Sequence, residues 1–240
     1  MTEQDLSQMN IKRFCVLHRL LHILVMLGFI GLGLTGFSLK FSAQGWAQVL
    51  AWLFGGASGL AFWHRAFALV TYFSVLIHLI WLIYYKLVIK GRFIGPQTMF
   101  PSWQDLRDLK RHIGYFFGRG SLPRFNRFTY WEKLDYWAVV IGMQTMGLTG
   151  AILWFPQFFT RFLPGYFINL AFVLHLYEAA IAVALKFVVH IITAHLRPEV
   201  WPLEKSIFTG TMPAAQVQKE RPGQWEALTA AGRTDPPDAA

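Results

Sequence analysis

The chain has 240 residues, 55% of them hydrophobic and 17% aromatic with only 15% charged, and a formal net charge of +9. An ordinary soluble domain of this size does not carry so much apolar surface, so a membrane protein is the default. Cys15 is the single cysteine, which excludes an internal disulfide, a thiolate-held iron–sulfur cluster and a C-x-x-C-H site for covalent haem.

Four stretches, approximately 20–39, 61–85, 134–155 and 168–194, are long and apolar enough to cross a hydrocarbon core of about 30 Å, which takes roughly 20 helical residues. The division expected is a cytoplasmic N-terminal segment (1–19), a four-helix membrane domain (20–205) and a cytoplasmic tail (206–240). Span 1 has too long an apolar run for a cleaved leader and is expected to stay. Lys12, Arg13 and Arg19 precede it, ten basic residues lie between Lys86 and Lys133, and Arg197, Lys205, Lys219, Arg221 and Arg233 follow span 4. The 1–2 and 3–4 connections and their flanks hold only Lys40, Arg65 and Arg161. Basic residues stay on the cytoplasmic side, so both termini are expected there, in a bacterial inner membrane, and the charge needs no nucleic acid to explain it.

Span 1 carries "GFIGLGLTG" (Gly28–Gly36), which returns in span 3 as "GMQTMGLTG" (Gly142–Gly150) with glycines aligned at 28/142, 33/147 and 36/150. A glycine face admits a flat macrocycle or a closely packed helix equally well. Phe41–Leu60, rich in Trp and Gly, reads as a connection at the outer interface. Span 2 bears His64 and His78, and the 86–133 loop holds an amphipathic stretch with Leu106, Leu109, Ile113 and Phe116 on one side and His112 expected in solvent. Span 4 bears His175 and His190, together with Glu178 and Lys186. The tail beyond Met212, rich in Ala, Pro, Gln and charge, is expected to be disordered or ordered only by a partner. The whole reads as an all-α membrane protein, a four-helix bundle of two related hairpins.

His64 and His78 are 14 residues apart and His175 and His190 are 15 apart, which on a helix is about 21 and 22 Å of rise with a return to within roughly 40–60° of the same face. Two such helices side by side offer two facing histidine pairs, a geometry that suits two bis-histidine haems stacked across the membrane. Zinc fits poorly, because its ligands must cluster within a few Å. His22, in "HRLLH", is level with His78 and His190 and competes for the inner haem, while His18 and His195 read as interfacial. Lys186, Arg65 and Arg19 are candidate haem-propionate partners, against the plainer reading of positive flanks to a span. The rival reading is a membrane anchor or assembly subunit whose histidines serve packing.

Taken together, "RLLH" (Arg19–His22), the two "LTG" copies, "WHRAF" (Trp63–Phe67), "RFTYWEKLDYW" (Arg127–Trp137) and "HLYEA…VVH….H" followed by "RPEVWP" (Arg197–Pro202) resemble the membrane cytochrome b subunits of the formate dehydrogenase gamma and nickel–iron hydrogenase type. The resemblance runs over about residues 12–203. It implies two b haems, with a third left open, and electron transfer between a membrane quinone and an extracytoplasmic partner. That partner would be a multihaem c-type cytochrome or an iron–sulfur/molybdenum subunit. It assigns His64 and His175 to the outer haem and His190 with His22 to the inner one, although His78 leaves His22 or His78 as alternatives. It also points to Thr129, Glu132, Lys133 and Asp135 as the quinone-side residues, with a charged interface belt as the bland alternative. The direction of electron flow is not encoded.

Overall fold

The computed structural model describes residues 9–232, leaving aside the side chain of Glu199. Four helices among the described residues are long and apolar enough to cross a membrane. They are α1 (Val16–Lys40), α3 (Gly56–Leu87), α5 (Tyr130–Trp154) and the continuous stretch Tyr166–His195, of which α7 is Tyr166–Ala184. The helices run past the apolar windows that announced them, α3 by five residues at its start, because polar and aromatic flanks continue the backbone hydrogen bonding where hydropathy alone stops. Short helices α2 (Gly45–Leu53), inside the Phe41–Leu60 connection, and α6 (Pro156–Phe159) lie between them.

The chain divides into two units. The span unit comprises Leu17–Leu82 and Gly142–Ile192, the loop unit Met1–Val16, Ile83–Ile141 and Thr193–Ala240. Within the span unit the outward side chains are apolar, Leu27, Phe73, Leu148 and Ile181 among them, while buried polar groups such as Ser38, Ser74 and Thr71 bond a carbonyl of their own helix. Lipid requires that inversion, since water is absent to satisfy either a hydroxyl or a backbone group.

After Ala184 the fourth span widens to i→i+5 hydrogen bonding over Leu185–His195. Each such turn takes in an extra residue, so His190 is moved off the face that a regular helix would give it.

The loop unit holds α4 (Trp103–Phe116), the amphipathic helix expected in the 86–133 segment. Ser102 and Asp105 close a capping box at its start. His112, expected in solvent, is instead half-buried: it stacks on Phe116, faces Phe125 and Trp131, and lies 3.0 Å from the Tyr130 hydroxyl. Burial pushes its pKa down.

The tail corrects a larger expectation. Residues 206–232 fold as α8 (Ser206–Thr209), β2 (Thr211–Pro213), α9 (Ala214–Glu220) and α10 (Pro222–Ala230), whereas 1–8 and 233–240 lie outside the described residues. β2 pairs antiparallel with β1 (Asn10–Lys12), placing Ile11 opposite Met212. Ile11, Met212, Ala214, Val217 and Leu228 form a small core, with Met9 and Trp225 packed against it. The tail has little to bury alone; the missing apolar partner is supplied from some two hundred residues earlier.

Candidate functional site

Each "LTG" copy brings a threonine to a histidine on the following span. Thr35 Oγ1 on α1 lies 3.0 Å from His64 Nδ1 on α3, and Thr149 Oγ1 on α5 lies 3.0 Å from His175 Nδ1 on α7. Thr35 donates its own proton to the Gly31 carbonyl at 2.6 Å, and Thr149 donates to the Thr145 carbonyl at 2.8 Å. A hydroxyl whose proton is already engaged accepts, so Nδ1–H of each imidazole donates to its threonine. That fixes the tautomer and leaves the Nε2 lone pair for a metal. Both threonines are buried, Thr35 completely.

The glycine after each threonine makes room for the ring. A Cβ on Gly36 would stand 3.0 Å from His64 Cε1, and one on Gly150 would stand 3.2 Å from His175 Cε1. Other glycines of the repeat serve helix packing: Gly28 is covered by Thr71, and Gly147 by Tyr72, whose hydroxyl donates to the Met143 carbonyl. The helix-packing reading of the glycine face thus holds at Gly28 and Gly147, while Gly36 and Gly150 face histidine rings.

The ring centroids of His64 and His175 are 6.3 Å apart, and those of His22 and His190 are also 6.3 Å apart. A metal–imidazole bond is about 2 Å, so two imidazoles ligating one metal in line hold their centroids roughly 6 Å apart. Both pairs have that separation, with interplanar angles of 72° and 35°. His78, the other candidate partner of His190, is set against His18 at 5.5 Å and stacks on Trp81. His18 in turn lies 4.3 Å from Trp81, and His195 faces Phe208 at 6.1 Å.

Among the proposed charge partners, Arg19 has a buried Nε with no hydrogen-bond partner among the described residues. Arg65 is exposed and lies over the Trp154 ring, and Lys186 is half-buried on the widened segment. Glu178 lies against Gly142.

The residues expected to meet a quinone belong to the loop unit, where Glu132 and Lys133 are committed to ion pairs. Glu132 accepts from Thr129 N and Oγ1 at 2.8 Å each, from Arg13 at 2.8 Å, and from both terminal nitrogens of Arg221 at 2.9 and 3.0 Å. Buried Lys133 donates to both oxygens of Asp105, at 2.8 and 3.0 Å. Arg127 completes the cluster by donating to the Arg13 carbonyl, while its own carbonyl accepts from Arg221 at 2.7 Å. Burial, with Arg221 nearby, lowers the Arg13 pKa to about 9, which leaves it a cation at neutral pH. Asp135 is half-buried one turn further along α5. Sequence reasoning missed Thr35 and Thr149, although the repeat displayed both, and it missed the arginines that surround Glu132.

A family model for prokaryotic cytochrome b561 matches residues 13–210. The chain belongs to that family. No curated protein matches it. This cytochrome b561 relative is therefore a multi-pass bacterial membrane protein, a haem b electron-transfer subunit that works with other redox proteins. Its residues fit the cofactor on their own account: paired imidazoles at 6.3 Å, Nδ1 protons held by threonines, and a glycine beside each ring of the His64–His175 pair.

Proposed function

We propose that this cytochrome b561 member holds two haems b, one between His64 and His175 and one between His22 and His190, and links a redox partner on one side of the membrane to the quinone pool. The observation that carries the reading is the duplicated 6.3 Å histidine pair. His175 and His190 are 15 residues apart on one continuous span, so the two centres would be about 20 Å apart. Bound haem b supplies a one-electron couple, tuned by its axial ligands and surroundings.

The chain's own residues do the rest. Thr35 and Thr149 hold the Nδ1 protons of His64 and His175 and so keep Nε2 aimed at the metal. Gly36 and Gly150 leave room for the Cε1 side of each ring. Arg19, Arg65 and Lys186 are the proposed counter-charges for propionates, with the orphaned Nε of Arg19 the best supported. For the quinone, the segment with Thr129, Glu132, Lys133 and Asp135 is the proposed contact. Glu132, fixed by two arginines and Thr129, serves there as a standing negative charge, and Asp135 is the proposed proton carrier. The basic 86–133 loop and both ends of the described chain are assigned to the cytoplasmic side. The partner, on the opposite side, is a multihaem c-type cytochrome or an iron–sulfur or molybdenum subunit, and electrons pass in either direction.

A pyridine-haemochrome assay on the purified protein is expected to give two non-covalent b haems per chain, both reducible by a soluble quinol. One haem per chain would remove the two-centre reading, and reduction by dithionite but never by quinol would remove the quinone. A preparation with no Soret band after expression with ample haem would leave a membrane anchor whose histidines pack helices.

A further inference from the structure

Helix α4 has three faces. Asp105, Asp108 and His112 recur at intervals of three and four residues and face inward, where Lys133, Gln104 and Tyr130 hold them. About a quarter turn or more away, Leu106 and Ile113 form an exposed apolar stripe flanked by Trp103, 79% exposed. The third face carries Arg107, Lys110 and Arg111.

Beyond the helix the chain turns back. Gly118 and Gly120 adopt positive φ of 70° and 83°, and the amides of Gly118 and Arg119 bond the Tyr115 and Gly114 carbonyls at 2.9 and 2.8 Å. The reversal brings Arg119 and Arg124 round to the third face. Arg107, Lys110, Arg111, Arg119 and Arg124 then line one concavity of about 720 Å³ that also takes in Leu122. Glu226 pairs with Arg124, and buried Asp108 lies beneath Arg111. Among the described residues no carboxylate is in ion-pair contact with Arg107, Lys110 or Arg119. The last carbonyls of α4 are bonded by the returning loop, so they do not oppose an anion here.

Arg107, Lys110 and Arg119, with no carboxylate in ion-pair contact among the described residues, leave the hollow with surplus positive charge that an anion would offset. An exposed apolar stripe beside them on the same helix selects the form of that anion. Free phosphate has no use for Trp103 or Leu106, and an acidic protein segment has no need of an interfacial stripe. A phospholipid uses both surfaces at once. We propose that this concavity binds the phosphate headgroup of an anionic phospholipid, while Trp103, Leu106 and Ile113 enter the acyl-chain boundary. The site shares no residue with the histidine pairs.

The test uses the full chain, delipidated in detergent and titrated with palmitoyl-oleoyl phosphatidylglycerol or the matching phosphatidylcholine, with occupancy read by native mass spectrometry. Phosphatidylglycerol is expected to bind at least tenfold tighter. The Arg107→Gln/Lys110→Gln/Arg111→Gln variant is expected to bind it about a hundredfold more weakly while keeping the wild-type helical circular dichroism. Arg119→Glu, on the returning loop outside the helix, is expected to weaken it about tenfold and provides the readout if the triple variant loses its fold. Equal binding of the two lipids, or full phosphatidylglycerol binding by both variants, would overturn the proposal. So would displacement of the lipid by millimolar inorganic phosphate, which would mark a free-phosphate site, or tighter capture of a polyglutamate peptide, which would mark a protein partner.

Discussion

The two histidine pairs of the span unit have the same separation and different origins. His64 and His175 belong to the internal repeat: each follows a glycine-bearing helix, each gives its Nδ1 proton to the threonine of an "LTG" copy, and each rests beside the glycine that ends it. His22 and His190 come from the first and last spans, and the histidine that the repeat would align with His190, His78, packs with His18 and Trp81. Duplication therefore describes one pair and misdescribes the other. A repeated sequence transmits its local contacts faithfully, here a threonine and a glycine one residue apart, and transmits a partner less faithfully once one copy's helix changes pitch, as the fourth span does after Ala184.

The largest effect that would break the comparison is loss of a haem. His175→Ala and His22→Ala are each expected to halve the haem content measured by pyridine haemochrome, from different centres, while His78→Ala keeps both. If His78→Ala lost a haem and His22→Ala did not, the inner pair would have been drawn wrongly. Next comes Gly36→Val, which adds bulk against a ring that already lies 3.0 Å from a Cβ at that position. It is expected to empty the His64–His175 centre while the spectrum of the other persists.

A third test leaves both centres alone. Glu132→Ala removes the one carboxylate between Arg13 and Arg221, and stranding buried charge in this way is expected to cost about 3–5 kcal/mol. The readout is rapid proteolysis within residues 206–232 at unchanged haem content. The smallest effect sharpens the comparison most. Thr35→Val deletes the acceptor for His64 Nδ1–H, makes the imidazole a weaker donor to oxidised iron, and so is expected to raise the potential of that centre alone. A neutral hydrogen bond nets about 1 kcal/mol, roughly 40 mV for a one-electron couple. Potentiometric titration in which both centres moved, or neither, would show that the threonine only packs.

How much was legible beforehand follows from what each signal measures. Hydropathy reports burial in lipid, so the four spans were plain and their ends were not: Tyr130 and Gly56 begin helices outside the apolar windows. That His64 and His175 would face each other was legible because spacing and repeat agreed. Spacing alone left His22 and His78 as alternatives beside His190; the structure sets His22 6.3 Å from His190 and stacks His78 on Trp81. Thr35 and Thr149 stood in view in the two "LTG" copies but were given no role, since a hydroxyl in a span usually bonds its own backbone, as these also do. The tail failed for the opposite reason. Its order depends on Ile11, Met9 and Arg13, and no window along the sequence spans that distance.

The pairing of Ile11 with Met212 also sets a schedule for making the protein. Synthesis at about 5–20 residues per second puts on the order of 10–40 seconds between the two strands. Throughout that interval the early strand must wait without its core, and Glu132 must wait for Arg221. The four spans can enter the membrane one after another as they emerge, whereas the loop unit closes only once Met212, Val217 and Leu228 have arrived. A chain stopped before Met212 would already hold its four spans and would still lack this fastening.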